Sequence, residues 1–165
     1  MKEMLDIVNE KDEIIGIKER KEVEEKGLLH RVAYVYVHLN GKVLIEKRSK
    51  SKRPGHYTIV GETVQSGESY GKAAYRGVKE ETGLKAGKLR LLGKIQSNDK
   101  EEKDNKIVEV FSCEGKGKVM AQEEEVEEII FLEPKKIQAF IERQRKIAPA
   151  FVDTFKVYKE KMLDG

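Results

Sequence analysis

The sequence contains a single cysteine, Cys113, among its 165 residues. One cysteine can form neither an internal disulfide nor, by itself, a zinc site, which is consistent with a reducing cytoplasm. No apolar run approaches the ~20 residues that a membrane span needs. The first residues also lack the basic stretch and apolar segment of a signal peptide. We therefore expect a soluble cytoplasmic protein with no membrane partner.

The chain also has little net charge, although charged residues are abundant. They make up 38% of the sequence, yet the formal net charge is only +3. The two signs are mixed along most of the chain, which is typical of a solvated surface. Charge alone therefore does not indicate nucleic-acid binding, and we expect none. Hydrophobic residues, also 38%, suffice for a core, and the length fits a single domain over residues 1–165.

The order of the predicted elements indicates a mixed α/β (α+β) domain. Two short apolar stretches, Met4 to Val8 and Ile14 to Ile17, predict an N-terminal β-hairpin. Residues 28–39 form the best predicted strand, and the Asn-Gly pair that follows predicts a tight turn into a partner strand. Further strands are predicted at 57–60, 89–96, 106–114 and 127–132, a loop at 61–67 and a polar turn at 97–105. Helices are predicted at 70–82, 134–144 and 150–162, and one helical turn at 21–26.

The segment GESYGKAAYRGVKEETGL, residues 67–84, predicts a helix that ends in two acids. Ser69 can cap its start, and Gly83 can end it. Glu80 and Glu81 lie three and four positions after residue 77, so they share one helix face with it.

Carboxylates that converge on one face repel each other unless a cation lies between them. Mg²⁺ and Mn²⁺ accept carboxylate oxygens and usually retain waters and substrate phosphates. Arg76, four residues before Glu80, can pair with it. The alternative is an ordinary exposed charged helix.

The same segment resembles a Nudix box. That pattern runs glycine, five residues, glutamate, seven residues, Arg-Glu, an aliphatic residue, any residue, Glu-Glu, any residue, glycine and an aliphatic residue. Seven positions fall in register: Glu68, Arg76, Val78, Glu80, Glu81, Gly83 and Leu84. The resemblance covers most of the chain and extends to the subfamily close to isopentenyl diphosphate isomerase. It implies a mixed sheet sandwiched between helices.

The resemblance also implies a function. The family's box binds a divalent metal against a diphosphate, usually of a nucleoside diphosphate linked to another group, and water attacks phosphorus. We therefore expect a Mg²⁺- or Mn²⁺-dependent hydrolase of a phosphoanhydride. The implied metal ligands are Glu68, Glu80 and Glu81, and Arg76 would orient a carboxylate.

Two positions depart from the box. Its glycine, six residues before Glu68, is replaced by Glu62, and the glutamate after Arg76 is replaced by Gly77. In several members of the family that glutamate binds metal or activates water, and glycine can do neither. One alternative is therefore a catalytically weakened Nudix-fold binding or regulatory module.

We hypothesise that another acid supplies the missing function. The candidates are Glu62 itself and the acidic run Glu123, Glu124 and Glu125, which precedes the strand that carries a late metal ligand or base in some relatives. We take Glu125 as the candidate base. The alternative for the run is a solvated acidic turn.

Isomerase activity is less expected. The isomerase cysteine would fall near Gly61 and its following histidine near Thr63, and neither residue type is present. His30 matches one isomerase metal histidine but lacks its companions, so a structural role is favoured. Cys113 belongs to a different strand and is interpreted as a buried small hydrophobe.

The basic loop SKSKRPGH, residues 49–56, could attract a phosphorylated substrate. Its Lys50, Lys52 and Arg53 follow Arg48, and the two arginines are the better phosphate clamps. The alternative is a solvated loop. Three tyrosines in predicted strands either stack on a base or pack into the core: Tyr34, Tyr36 and Tyr57. The sequence leaves the substrate and the oligomeric state open.

Overall fold

The computed structural model describes residues 2–49, 52–122 and 124–164. Its strands are β1 (Met4–Val8), β2 (Ile14–Glu19), β3 (His30–Leu39), β4 (Lys42–Arg48), β5 (Tyr57–Thr58), β6 (Val60–Thr63), β7 (Lys85–Ala86), β8 (Arg90–Asp99), β9 (Asp104–Lys116) and β10 (Val126–Leu132). Its α-helices are α1 (Arg20–Lys26), α2 (Tyr70–Thr82), α3 (Ile137–Arg143) and α4 (Pro149–Tyr158), with a 3₁₀ turn at Pro134–Lys136 and a π-helical turn at Lys159–Leu163. Within this part of the chain, no helix is both long and apolar enough to cross a membrane.

Most of the strands belong to one mixed sheet. Strands β1 and β2 form a separate hairpin, and the central strands of the large sheet run in the order β10-β4-β3-β9-β7. Strands β5, β6 and β8 pair with β4, β3 and β9. The long β3–β9 ladder is parallel, with His30 opposite Lys106 and Val37 opposite Cys113. The hairpin predicted at the N-terminus is present.

Strand β3 changes its partner along one edge. Its antiparallel partner is β6 over residues 32–35 and β4 over residues 38–39. The two partner strands therefore lie on the same side of β3, opposite β9. This change of partner places the end of β4 next to β6, and side chains from both strands line the cavity described below.

The sheet has a hydrophobic core on each face because side chains alternate along its strands. On one face, strand residues pack against Ala73, Ala74 and Val78 of α2. On the other face, they pack against Phe151 and Phe155 of α4. The predicted fold, a mixed sheet sandwiched between helices, is confirmed.

Local start and stop signals act as predicted. The Ser69 hydroxyl accepts a hydrogen bond from the Lys72 backbone N–H at 3.1 Å and caps α2. Gly83 ends the helix with φ at 78°, in the left-handed region. The turn between β3 and β4 has positive φ at both Asn40 and Gly41, as a tight hairpin requires.

Three predictions of secondary structure were wrong in detail. Residues 61–63, predicted as loop, belong to β6 because β3 supplies their ladder partners. Most of the polar segment 97–105 lies in the ends of β8 and β9, which pair down to residues 99 and 104. The short strand β7 was not predicted. In each case pairing with a strong neighbouring strand outweighs low local propensity.

The residues interpreted as core or structural are mostly buried. Tyr36 is fully buried, and its hydroxyl lies 3.0 Å from Thr154 Oγ1. Tyr57 is partly buried and packs edge-on against Phe140. Cys113 is buried, and burial raises the pKa of its thiol to about 11, which disfavours a reactive thiolate.

Candidate functional site

A cavity of about 260 Å³ lies beside the ends of β4 and β6. Glu81 is the residue of α2 that lines it, and β3, β8, β9 and the start of α4 contribute further parts of its wall. Acidic and basic side chains both line it. The acids of the lining include Glu46, Glu62, Glu81 and Glu125, and the bases include Arg48, Lys52, Arg53 and Lys106. Such a lining suits a cation and an anionic ligand bound together.

Glu81 of α2 and Glu46 of β4 form a buried carboxyl pair, with 5% and 2% of their surfaces exposed. Burial raises the pKa of Glu81 well above its usual range, and the charge of Glu46 raises it further. Burial also raises the pKa of Glu46 to about 7, against the opposing effect of its hydrogen bond with Glu81. Two carboxyls buried side by side disfavour double ionisation, so a cation between them would favour the charged forms.

Glu46 was not singled out from the sequence. It follows the apolar residues of β4, on the same face as Leu44, and this face packs against α2. Among the described residues, its Oε2 atom is the one buried side-chain oxygen or nitrogen without a hydrogen-bond partner. A buried carboxylate oxygen without a partner is costly and indicates a ligand or a catalytic role.

The donor set fits Mg²⁺ or Mn²⁺, because both ions prefer carboxylate oxygens. In the ranges that the structure describes, no three His, Cys, Asp or Glu side chains already surround a cation position. Carboxylates that bind a cation here would therefore adjust their rotamers. The fit to Mg²⁺ or Mn²⁺ therefore rests on the carboxylate oxygens that line the cavity, and not on the distances between them in this structure.

Glu68, in the loop before α2, forms a two-point ion pair with Arg76 in the middle of that helix. Arg76 Nε donates to Glu68 Oε2 at 3.1 Å, and its Nη2 donates to Oε1 at 2.9 Å and to the Thr63 carbonyl at 2.9 Å. The Gln65 backbone N–H also donates to Glu68 Oε1. Burial alone would raise the pKa of Glu68, but these bonds outweigh it and lower the pKa. The pair ties the loop before α2 to the helix, and a metal-ligand role for Glu68 stays a prediction that requires this pair to open.

Arg76 also reaches two further acids. Its Nη1 lies 3.1 Å from Glu62 Oε1 and 3.7 Å from Glu80 Oε2. The Glu80 side chain is 54% exposed and does not line the cavity, whereas Glu81 is buried and lines it. The Glu62 side chain is only 13% exposed, and burial raises its pKa to about 7 in spite of Arg76.

Gly77 lies directly beneath the Glu62 side chain. A Cβ atom at residue 77 would lie 2.7 Å from Glu62 Cβ and 3.3 Å from Glu62 Oε2. Real Cβ atoms essentially never approach so closely. Glycine at this position therefore makes room for Glu62, which explains a residue that would otherwise only weaken the helix.

Glu125 lines the cavity from the turn before β10 and is exposed. Its charge helps to raise the pKa values of Glu46, Glu62 and Glu81. Glu124 contacts Ser49 through its carbonyl, which accepts from the hydroxyl at 2.7 Å. Glu123 lies outside the described residues. The structure thus brings Glu125 near the acids of the cavity, and its role as base stays a prediction.

Both predicted substrate-binding arginines line the cavity, but each already has a partner. Arg53 donates two hydrogen bonds to the Asp99 carboxylate, at 2.7 and 2.6 Å. Arg48 donates its Nε–H to the Lys52 carbonyl at 2.6 Å. A phosphate group would have to displace Asp99 to use the planar face of Arg53. Lys50, from the same predicted set, lies outside the described residues.

A second polar group at the cavity was missed because its members lie far apart in the sequence. Lys106 Nζ donates to the Tyr34 hydroxyl at 2.9 Å and pairs with Asp104. His30 Nδ1 donates to the Leu28 carbonyl at 2.9 Å, and its Nε2 lies 3.8 Å from Asp104. Burial lowers the pKa of His30, which favours the neutral imidazole. These contacts agree with a structural role for His30.

The geometry also argues against the isomerase. A Cβ atom at Gly61 would lie 2.6 Å from the Tyr34 ring, so this position cannot hold a cysteine without moving the ring. The cysteine that the chain does have, Cys113, lies on β9 outside the lining of this cavity.

Comparison with known sequences points to one family in every case. The model of the NUDIX domain matches residues 28–152. The uncharacterized Nudix hydrolase YfcD of Escherichia coli (strain K12) is 34% identical over 143 residues, which cover 83% of this chain and 77% of that protein. The uncharacterized Nudix hydrolase PA4841 of Pseudomonas aeruginosa is 30% identical over 138 residues, which cover 81% and 80%.

Solved structures show the same fold. DR0079 from Deinococcus radiodurans superposes with a TM-score of 0.76 at 23% identity, covering 97% of this chain and 99% of that one. The NUDIX domain of Shewanella oneidensis NrtR, solved in complex with ADP ribose, gives a TM-score of 0.64 at 13% identity, covering 81% and 87%. At these identities the likeness concerns the fold alone.

Proposed function

Because the chain belongs to the NUDIX domain family, we propose that it hydrolyses a phosphoanhydride in a small-molecule diphosphate, with Mg²⁺ or Mn²⁺ as cofactor. A nucleoside diphosphate linked to another group is the favoured substrate class, and the ADP ribose bound by the NrtR domain supports it. The observation that carries the proposal is the buried Glu46–Glu81 pair, which faces a cavity that basic side chains also line.

The acids of α2 and β4 would hold the cation. Glu81 and Glu46 would supply oxygens from the lining of the cavity, and Glu80, which does not line it, would have to turn toward the cation. Glu68 joins them only if it leaves Arg76. The bound cation would neutralise the diphosphate oxygens and lower the pKa of water. Glu46 Oε2 would then gain the partner that it lacks in the described part of the chain.

The other side chains would position the substrate and move the proton. Glu125, exposed on the rim, would accept the proton of the attacking water. Arg48 and Arg53 would bind phosphate oxygens, with Arg53 exchanging Asp99 for the substrate. Arg76 would act as a positioning residue, because it holds the carboxylates of Glu62 and Glu68 in place.

The test is a panel of nucleoside diphosphate derivatives and other diphosphates, assayed with Mg²⁺, Mn²⁺ or a chelator. We expect cation-dependent release of phosphate-containing products. The Glu81→Gln and Glu125→Gln variants should each lower kcat by ~100-fold or more. Glu128→Gln, an exposed acid of β10 that does not line the cavity, is the matched control and should leave kcat unchanged. No turnover of any compound by the wild type with either cation would reject the proposal.

A binding or regulatory module is the second candidate. It is favoured by the engagement of both Glu68 oxygens with Arg76 and by Gly77 at a position where the box has an acid. Calorimetry with Mn²⁺ and the same compounds separates the two. Tight binding without product would indicate the module, and binding followed by cleavage would indicate the enzyme.

A further inference from the structure

We propose that the carboxylate and the glycine of the box have exchanged places, so that Glu62 supplies from β6 the metal-binding carboxylate that the box otherwise carries at residue 77 of α2. The box pattern has glycine at 62 and glutamate at 77, and this chain has the reverse. The metal-binding role of Glu62 rests on the proposed function, because it requires the same cation. The steric relation between residues 62 and 77 depends only on the fold.

The two positions face each other across the contact between β6 and α2. Glu62 belongs to β6, which is fixed by pairing with β3, opposite Ala33. Gly77 is buried in the middle of α2. A Cβ at residue 77 would approach Glu62 Cβ to 2.7 Å, so only one of the two positions can carry a side chain in this backbone.

The Glu62 carboxylate lies over the side of Gly77 from which a side chain would project. Glu62 Oε2 would be 3.3 Å from a Cβ at residue 77, so it already occupies the space of that side chain. The other oxygen, Oε1, lies 3.1 Å from Arg76 Nη1, which fixes its orientation. A carboxylate held in this way can present Oε2 to a cation while Oε1 stays paired.

An independent observation supports a ligand in the same cavity. Glu46 Oε2 is buried and unpartnered within the described chain, and Glu46 lines the cavity together with Glu62 and Glu81. Three carboxylates from β4, β6 and α2 therefore line one cavity, where a change of rotamer would let them share a divalent cation that compensates their charge. Glu62 is thus a metal ligand in this assignment, and Gly77 is the residue that permits it.

The test is a reciprocal exchange in the full-length chain. The variants are Glu62→Gly, Gly77→Glu, the double variant Glu62→Gly/Gly77→Glu, and the isosteric Glu62→Gln. Glu128→Gln is the control. Thermal unfolding without metal measures Tm, which reports the steric clash between side chains at 62 and 77. Calorimetry with Mn²⁺ alone measures the affinity of the cation site.

We expect Gly77→Glu to lower Tm, because its side chain meets Glu62, and the double variant to recover most of that loss. The Mn²⁺ affinity should fall at least ~10-fold in Glu62→Gly and Glu62→Gln and return in the double variant. If Gly77→Glu fails to fold, Glu62→Gln still tests whether the Glu62 carboxylate binds the cation, because this substitution changes the charge of the side chain and not its shape.

The outcomes separate this inference from the proposed function. A wild type that binds Mn²⁺ and cleaves diphosphates, with unchanged Mn²⁺ affinity in Glu62→Gln, overturns the exchange and leaves the hydrolase intact. Loss of Mn²⁺ binding in Glu62→Gln, in a protein that cleaves nothing, supports the exchange and rejects hydrolysis. A wild type with no Mn²⁺ binding overturns the exchange outright.

Discussion

Among single residues, Glu46 is a buried acid whose charge is poorly compensated in the described part of the chain. Its carboxyl is buried between the sheet and α2, next to a second carboxyl on Glu81, and one of its oxygens has no partner among the described residues. Residues of this kind are retained at functional sites in spite of their effect on stability. Glu46 therefore offers a direct test of whether the acidic pair serves cation binding.

Replacing Glu46 by glutamine should stabilise the metal-free protein. The amide removes a buried charge and can donate a hydrogen bond to Glu81, so we expect a gain of about 1–3 kcal/mol in the free energy of unfolding. Urea unfolding at pH 8 measures it. The same variant should bind Mn²⁺ at least ~10-fold more weakly in calorimetry. Lower stability with unchanged Mn²⁺ affinity would assign Glu46 a structural role instead.

The sequence alone located part of this site. Glu81 could be chosen because the spacing of the box is local to one helix. Glu46 could not be chosen, since its importance depends on which face of β4 packs against α2. The contact between Glu62 and Gly77 likewise joins residues of two elements. The one available signal for Glu46 was an acid that follows the apolar run of a predicted strand.

At the scale of elements, the N-terminal hairpin is attached to the rest of the fold through its turn. Asp12, between β1 and β2, accepts hydrogen bonds from Arg31 Nε at 2.7 Å, Lys94 Nζ at 2.6 Å and the Tyr70 hydroxyl at 2.9 Å. Burial alone would raise the pKa of Asp12, but these bonds outweigh it and lower the pKa. One carboxylate thus joins the hairpin to β3, β8 and the start of α2.

The Asp12→Asn variant should therefore be less stable by about 2 kcal/mol at pH 7, the usual size for hydrogen bonds to a charged group. Asparagine tolerates the positive φ of residue 12, so the backbone is not strained. The folded pKa of Asp12 is depressed, so its contribution is present above the unfolded value of about 3.9 and is lost as pH falls through the folded value.

Urea unfolding at pH 7 and at successively lower pH measures this difference. It should shrink as the pH falls below about 4. Asp164→Asn, an exposed acid near the C-terminus, is the control and should match the wild type throughout. A difference between Asp12→Asn and wild type that stays constant with pH would show that lost packing, and not charge, causes the effect.

The elements that the sequence predicted well are those specified by local signals. The cap at Ser69, the end at Gly83 and the turn at Asn40-Gly41 each depend on a few neighbouring residues. Residues 61–63 were missed as strand because their pairing partner, β3, lies about thirty residues earlier in the chain. The same pairing brings Glu62 to α2, so the sequence offered Glu62 as a candidate acid but did not predict its contact with Gly77.

At the scale of the whole molecule, stability and cation binding should be linked. The formal net charge is +3, so dissolved cations have no general reason to favour the folded chain. A cation that binds only the folded state adds about 2.7 kcal/mol when its concentration is one hundred times Kd. For a domain of this size that corresponds to a rise in Tm of about 5–10 °C.

We therefore expect Mn²⁺ to raise the Tm of the wild type in a concentration-dependent manner, and Mg²⁺ to act similarly. Differential scanning calorimetry with a chelator as the reference measures the shift. Glu81→Gln should abolish it, because this variant removes an inward carboxylate, whereas Glu128→Gln should retain it. An equal rise in Glu81→Gln would place the stabilising cation elsewhere on the surface. A shift confined to proteins that keep the inward acids would link the stability of the whole fold to the site between β4, β6 and α2.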